Sequence, residues 1–176
     1  SYWLSTANVD KTTIGLFLFV QTPYTFKFLW SPLMDRLLLP GVGRLGRRRS
    51  WLLVTQLLLA ASVFMMGQTD PVSHGVMTAV WALAVAFFSA SQDIVIDAYR
   101  IELLHQDEQG AGAATTQVGY RLGMILAGAG ATAMSDYISW GAVYAIMAAC
   151  VLGCAVVTLF LPEPKVRAAV VTTGRY

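Results

Sequence analysis

The sequence predicts an all-α membrane protein with about five transmembrane helices, and three observations support this fold class. Of its 176 residues, 56% are hydrophobic and 12% are charged, whereas a soluble domain carries about 25% charged residues. The hydrophobic residues form five long runs, and roughly 20 apolar residues let a helix cross a bilayer. Most basic residues lie in two segments outside these runs. The net charge of +2 gives no indication of nucleic-acid binding.

The five runs are predicted as membrane spans in chain order. Their approximate limits are 12–34, 51–67, 76–99, 115–135 and 141–161. The second run is slightly short for a full crossing, and readings of this kind place helix ends only to within a few residues. We therefore expect residues 1–161 to form a transmembrane bundle in contact with the lipid bilayer.

The basic residues orient these spans. Eight of them follow the first and the last span: Arg36, Arg44, Arg47, Arg48, Arg49, Lys165, Arg167 and Arg175. The opposite side has one, Lys11, together with Asp10, Asp70 and Asp136. An excess of Lys and Arg marks the cytoplasmic side of a membrane protein. Residue 1 is thus expected on the outer side, and the C-terminus in the cytoplasm.

The third span ends in a stripe of polar residues, which is the best indication of function. Ser89, Asp93, Asp97 and Arg100 follow one another at spacings of four, four and three, which places them on one side of a helix. Gln92 lies beside them. Charged groups inside a membrane are costly, and they usually face a cavity or a partner. Because like charges four residues apart repel, we expect either one protonated Asp or basic residues close by.

Basic partners are available in two other spans. Lys27 lies in the first span and Arg121 in the fourth. For Asp97 and Arg100 the alternative interpretation is structural, since an ion pair near the cytoplasmic end would only hold helices together. Asp93 lies deeper in its span, as does Lys27, and a polar cavity is the better interpretation for these two.

Two spans contain residues typical of helices that bend or pack closely. Pro23 and Pro32 interrupt the first span, where proline removes a backbone hydrogen bond and can kink the helix. Gly119 and Gly123 lie four residues apart in the fourth span. This spacing allows close helix packing, or a helix that moves against its neighbours. No cofactor or metal site is predicted, because Cys150 and Cys154 have no His or acidic residue near them.

The basic loop after the first span resembles a signature of the major facilitator superfamily. It contains Asp35-Arg36 and then the run from Gly43 to Arg49. The superfamily keeps Asp-Arg and Gly-Arg-Arg nearly adjacent, whereas the nine residues 37–45 separate Asp35-Arg36 from Gly46-Arg47-Arg48 here. The resemblance implies a cytoplasmic charge network that holds one conformation of the transporter. Its candidate members are Asp35, Arg36, Arg47, Arg48 and Arg100.

Four segments together are more specific: they resemble the muropeptide permeases of the AmpG type. They cover residues 24–36, 89–98, 110–114 and 119–124, in the same order as in that family. The resemblance implies the second to sixth helices of an N-terminal six-helix bundle. Because Ser1 is not an initiator Met, we expect the first helix to precede it. We also expect a cytoplasmic linker to begin at residues 162–176, with a second six-helix half after it.

The resemblance also implies the function. These permeases are bacterial inner-membrane transporters, not enzymes, which import anhydro-muropeptides for cell-wall recycling, and protons are thought to drive the import. Asp93 is the first candidate for binding a proton or the substrate. The other candidates are Asp97, Lys27, Arg121, Gln92, Tyr24 and Tyr120, as charge partners or hydrogen-bonding groups.

Three alternatives remain from the sequence. The first is an importer of another large anionic metabolite, such as an acyl-CoA. The second is a structural membrane subunit without transport activity. The third is an intramembrane enzyme with Asp93 and Asp97 as an aspartyl dyad. This last alternative fits poorly, because such dyads usually take one Asp from each of two segments.

Overall fold

A computed structural model describes residue 20, residues 22–37 and residues 46–164, with the side chains of Asp35 and Arg36 left out. Regular structure in this part of the chain is helical throughout. The α-helices are α1 (Thr22–Phe26), α2 (Ser31–Arg36), α3 (Arg47–Gln68), α4 (Gly75–Leu103), α5 (Gln109–Ser135) and α6 (Trp140–Phe160). A 3₁₀-helix, Lys27–Leu29, lies between α1 and α2.

Three of the described helices, α3, α4 and α6, are long and apolar enough to cross a membrane. The prediction of an all-α membrane protein is thereby confirmed. Helix α5 has 27 residues, which is also sufficient in length. Its polar residues, among them Gln117 and Arg121, make it less apolar than the other three.

The long helices extend beyond the predicted spans. Helix α3 begins at Arg47 instead of residue 51, and α4 continues to Leu103 instead of residue 99. Helix α5 begins at Gln109, six residues before the predicted limit. Hydropathy marks the hydrocarbon region, whereas backbone hydrogen bonding continues the helix into the polar region of the bilayer.

The first predicted span is interrupted in its described part. Helix α1 ends at Phe26, and after the 3₁₀-helix the chain begins α2 at Ser31. Pro23 and Pro32 are each the second residue of a short helix. Proline is tolerated there because the first-turn N–H groups have no intrahelical partner. The prolines therefore lie where short helices begin, and this part of the span is broken, in agreement with the interruption that the two prolines predict. Residues 12–19 lie outside the described part.

Helix α3 is the centre of the bundle and packs against both α4 and α6. Its contact with α6 is close at Gly67, where an added Cβ would lie 2.3 Å from the Cβ of Tyr144. Only a residue without a side chain allows this approach. Val95 of α4 and Val143 of α6 are fully buried in the resulting core.

Helix α5 packs little against the other described helices, and none of its residues is buried. An added Cβ at Gly119 or Gly123 would meet no heavy atom within 4 Å. Within the described residues these glycines therefore do not make the predicted close helix contact. The face that carries them remains open.

Candidate functional site

A cavity of about 480 Å³ lies between the 3₁₀-helix, α4 and α5. Eight of its nine lining residues are polar or charged, although the surrounding helices are apolar. The residues that line it are Lys27, Ser89, Gln92, Asp93, Ile96, Asp97, Thr116, Gln117 and Tyr120. A polar cavity inside an apolar bundle is the arrangement that a transporter needs for a hydrophilic substrate.

Helix α4 provides the polar wall of this cavity because of its residue spacing. Ser89, Asp93 and Asp97 are separated by four residues, so they line one face at intervals of about 6 Å along the axis. Ala90 and Val95 lie elsewhere on the helix surface and are fully buried. The helix thus directs its carboxylates into the cavity and buries apolar side chains in the bundle.

Two side-chain hydrogen bonds fix the interrupted first segment on α4. The hydroxyl of Tyr24 donates to Ser89 Oγ at 2.6 Å, and the indole N–H of Trp30 donates to Ser91 Oγ at 3.1 Å. Lys27 lies between the two donors in sequence. These bonds therefore position Lys27 at the cavity wall.

A second cavity, of about 340 Å³, adjoins the same part of α4. Its lining consists of Lys27, Phe28, Ser31, Ile94, Asp97, Ala98 and Ile101. Lys27 and Asp97 thus line both cavities, whereas Asp93 lines only the first.

The two aspartates differ in their partners. Arg100 Nη2 lies 3.3 Å from Asp97 Oδ1, and the Asp97 side chain is 52% exposed. Asp93 and Lys27 line one cavity, but no direct ion pair joins them among the described residues. The Oε1 atom of Gln92, next to Asp93, is buried and accepts no hydrogen bond there. Asp93 thus lines the cavity without a charged side chain in direct contact.

Arg121 is separate from this group. Tyr120 lines the first cavity, but Arg121 follows it on the exposed surface of α5. One residue rotates the side chain by about 100° around a helix. The structure therefore brings six of the seven predicted binding residues to the cavity or its edge, and leaves Arg121 outside.

The start of α3 and the end of α4 are joined by an ion-pair cluster. Glu102 Oε1 accepts from Arg48 Nη2 at 2.5 Å and from Arg47 Nη2 at 3.3 Å. Arg48 is buried. Of the predicted charge network, Arg47 and Arg48 lie in this cluster, whereas Arg100 pairs with Asp97.

The predicted network also included Asp35 and Arg36, whose side chains lie outside the described part. It did not include Glu102. The sequence did contain one indication of it, namely an acidic residue two positions after Arg100 in the last turn of the same helix.

Glu163, which the sequence analysis also missed, caps the start of α3. Its Oε1 accepts the backbone N–H of Arg48 at 2.8 Å, and its Oε2 accepts that of Arg49 at 3.1 Å. Gly46 precedes this turn with φ of +99°. The first N–H groups of a helix lack intrahelical acceptors and favour negative charge. A carboxylate from the end of the bundle therefore supplies the acceptors.

Two further bonds connect the same ends. The Tyr99 hydroxyl donates to the Pro162 carbonyl at 2.6 Å, and Arg49 donates to the Leu159 carbonyl. Helices α3, α4 and α6 are thus held together where the basic residues lie.

Comparison with known proteins decides the family. Residues 1–175 match the model of the Major Facilitator Superfamily. The chain belongs to this superfamily. As a superfamily member with three apolar membrane-length helices, it is a multi-pass membrane protein.

Curated superfamily proteins also match the chain. It is 46% identical over 163 residues to the anhydromuropeptide permease of Escherichia coli strain K12, which covers 92% of this chain and 33% of the permease. It is 36% identical to an AmpG protein of Rickettsia prowazekii, over 98% of this chain and 42% of that protein. An uncharacterised protein of Haemophilus influenzae is 39% identical, over 93% of this chain and 38% of that protein. These matches confirm the resemblance to the muropeptide permeases. The chain spans about a third of the length of the permease.

Proposed function

We propose that this chain is the N-terminal part of a secondary transporter that imports anhydro-muropeptides across the bacterial inner membrane, with protons as the coupling ion. The polar cavity that contains Asp93 is the observation that carries the proposal. The 46% identity to an anhydromuropeptide permease supports the choice of substrate.

Asp93 is the residue we assign to proton or substrate binding. Asp97, the other carboxylate in the cavity, already has Arg100 as a partner. Asp93 lines the cavity next to the unpaired Gln92 Oε1 atom. A carboxylate without a direct partner in a cavity is free to take a proton or to accept a hydrogen bond from a ligand.

The other cavity residues match the groups of a muropeptide. Sugar hydroxyls and amides need hydrogen-bonding partners, which Gln92, Gln117 and Tyr120 provide. The stem-peptide carboxylates need a cation, which Lys27 provides. The cavity of about 480 Å³ falls within the usual range for ligand sites, roughly 300–1,000 Å³. Arg121, the other cation predicted for these carboxylates, does not line the cavity.

Transport then takes place by alternating access. In such transporters one bundle rocks against another around a site near the middle of the membrane. The ion pairs of Arg47 and Arg48 with Glu102 keep the cytoplasmic ends of this bundle together during the motion. The distribution of Lys and Arg supports an outer side at residue 1 and a cytoplasmic C-terminus.

The deciding experiment is uptake of labelled anhydro-muropeptide by the complete transporter in proteoliposomes. We expect Asp93→Asn to reduce proton-driven uptake by roughly a hundredfold, as loss of an essential proton-transferring group does. Asp107→Asn, at an exposed position in the turn after α4, is the matched control. Normal uptake by Asp93→Asn with an unchanged pH profile, at equal protein amounts, would refute the role of Asp93.

Competition with acetyl-CoA separates the two substrate classes in the same assay. Inhibition of uptake by unlabelled muropeptide, and not by acetyl-CoA, is expected. Transport of acetyl-CoA in preference to muropeptide would favour the acyl-CoA alternative.

A further inference from the structure

We propose that Lys27 is a counter-cation shared by Asp93 and Asp97, and that it moves from one aspartate to the other when Asp93 takes up a proton. This inference rests on the proposed function, because it describes how the same site couples proton binding to a structural change.

The position of Lys27 is the first argument. It lines both cavities, together with Asp97, while Asp93 lines only the larger one. Lys27 therefore lies in the wall between the two spaces. A lysine side chain has four flexible methylene groups and a compact charge, so its ammonium group can turn into either cavity.

The local backbone is the second argument. Lys27 begins the 3₁₀-helix between α1 and α2, and 3₁₀ segments of this kind often mark hinges. The two hydrogen bonds on either side, from Tyr24 to Ser89 and from Trp30 to Ser91, keep this segment on α4. The lysine is thus held beside the aspartates while its side chain remains mobile.

Charge balance is the third argument. With both carboxylates ionised, Asp93 and Asp97 are matched by Lys27 and Arg100. Arg100 contacts only one oxygen of Asp97, at 3.3 Å, which leaves the other oxygen for a second cation. When a proton neutralises Asp93, Lys27 loses its partner in the larger cavity and is attracted to Asp97. Proton uptake by Asp93 thereby draws the Lys27 ammonium group away from Asp93 and towards Asp97, which lines both cavities.

The remaining groups around Lys27 do not supply another charge. Tyr24 from α1 and Tyr120 from α5 are neutral hydrogen-bonding groups at neutral pH. Arg121 of α5 does not line either cavity. Within the described part of the chain, the balance around the two cavities depends on Lys27, Arg100 and the two aspartates.

The test compares pH profiles of uptake by the complete transporter. Lys27→Gln removes the cation beside Asp93, so we expect the pH of half-maximal uptake to rise by about one unit. Asp97→Asn leaves Lys27 fixed on Asp93, and we expect a shift in the opposite direction. In the Lys27→Gln background no lysine is left to redistribute, so adding Asp97→Asn should change little, and the profile of Lys27→Gln/Asp97→Asn should stay close to that of Lys27→Gln. Lys27→Arg keeps the positive charge, so its pH profile of uptake should stay close to that of the wild type.

Arg100 provides the matched control. In Arg100→Gln/Asp97→Asn the charges also balance, but Lys27 still has no second carboxylate, so the profile should remain like that of Asp97→Asn. If the midpoint shift of Lys27→Gln/Asp97→Asn equals the sum of the two single shifts, the proposal is overturned.

A second measurement separates this inference from the proposed substrate. Thermal unfolding of the full-length protein in detergent, across the same pH range, detects the charge cluster without any ligand. One outcome is that wild-type protein imports no muropeptide but the Lys27 and Asp97 substitutions have non-additive effects on Tm. In that case the proposed substrate is wrong, and the proposal that Asp93 and Asp97 share Lys27 is retained. The other outcome is that muropeptide uptake is normal but the effects of the two substitutions on Tm and on the pH profile are additive. In that case the proposal that Asp93 and Asp97 share Lys27 is wrong.

Discussion

The carboxylate of Glu163 accepts the backbone N–H of Arg48 at 2.8 Å, across a sequence separation of 115 residues. One acidic residue after α6 thus completes the first turn of α3. The neighbouring Arg48 guanidinium binds Glu102 at the end of α4. Three helix ends therefore depend on one another at the side of the bundle where the basic residues lie.

Removal of the Glu163 cap should destabilise this end. We expect Glu163→Ala to lower the Tm of the purified full-length protein by an amount equivalent to about 1 kcal/mol, as loss of a helix cap does. Glu163→Gln retains one acceptor oxygen and should lower the Tm less. Asp107→Ala, at an exposed turn, serves as the control for removing an acidic side chain. An unchanged Tm in Glu163→Ala would show that water replaces the carboxylate without cost.

Gly46 should tolerate no side chain while Glu163 is present. Its φ of +99° disfavours L residues, and an added Cβ would lie 2.2 Å from Glu163 Cδ. We expect Gly46→Ala to lower Tm more than Glu163→Ala does, because backbone strain of about 1–3 kcal/mol adds to the steric conflict. In the double variant the steric part disappears, so the two losses should be less than additive. Strict additivity would contradict this contact.

Burial should distinguish the two ion pairs of α4. Arg48 is 5% exposed, and Glu102→Ala would leave its guanidinium buried without this partner, at a cost of about 3–5 kcal/mol. Asp97 is 52% exposed, and loss of an exposed pair costs at most about 1 kcal/mol. We therefore expect Glu102→Ala to reduce Tm and membrane expression much more than Asp97→Ala. Equal losses would argue that burial of Arg48 does not set the cost.

These relationships show what the sequence could predict. The polar stripe of α4 followed from spacing alone, because residues four apart share a helix face wherever the helix packs. The partners of Arg48 could not be predicted from spacing, since Glu102 and Glu163 lie 54 and 115 residues away in the sequence. Only the packing of three helices brings them to one place.

The position of a residue within its helix was also not predictable from the sequence. Pro23 and Pro32 predicted an interrupted span, but not that each of them would lie in the first turn of a short helix. The effect of proline depends on its distance from the helix start, and hydropathy does not give that start. The same limit explains Arg121, since the side of α5 that faces the cavity depends on the rotation of the helix.

Acid should loosen the turn between α3 and α4. A hydrogen bond from the Ser73 hydroxyl, followed by one from the Val72 N–H, lowers the pKa of Asp70 below its ordinary value. Because the folded-state pKa is lowered, the stabilisation is present above the ordinary pKa and is lost as pH falls through the lowered one. We expect Ser73→Ala to move this loss to higher pH. Chemical shifts of the Val72 and Ser73 amides during an acid titration would detect it, and an unchanged midpoint would contradict the role of Ser73.

The bond between Tyr24 and Ser89 should matter for transport because it holds the segment that carries Lys27. Its length of 2.6 Å and a net worth of about 1 kcal/mol predict a loss of uptake of about fivefold for Tyr24→Phe. Ser89→Ala removes the same bond. Uptake by the double variant should therefore be no lower than uptake by the less active of the two single variants. Tyr137→Phe, which alters an 88% exposed tyrosine after α5, is the control. Multiplicative losses in the double variant would show that Tyr24 and Ser89 act separately, and that Lys27 is positioned by other contacts.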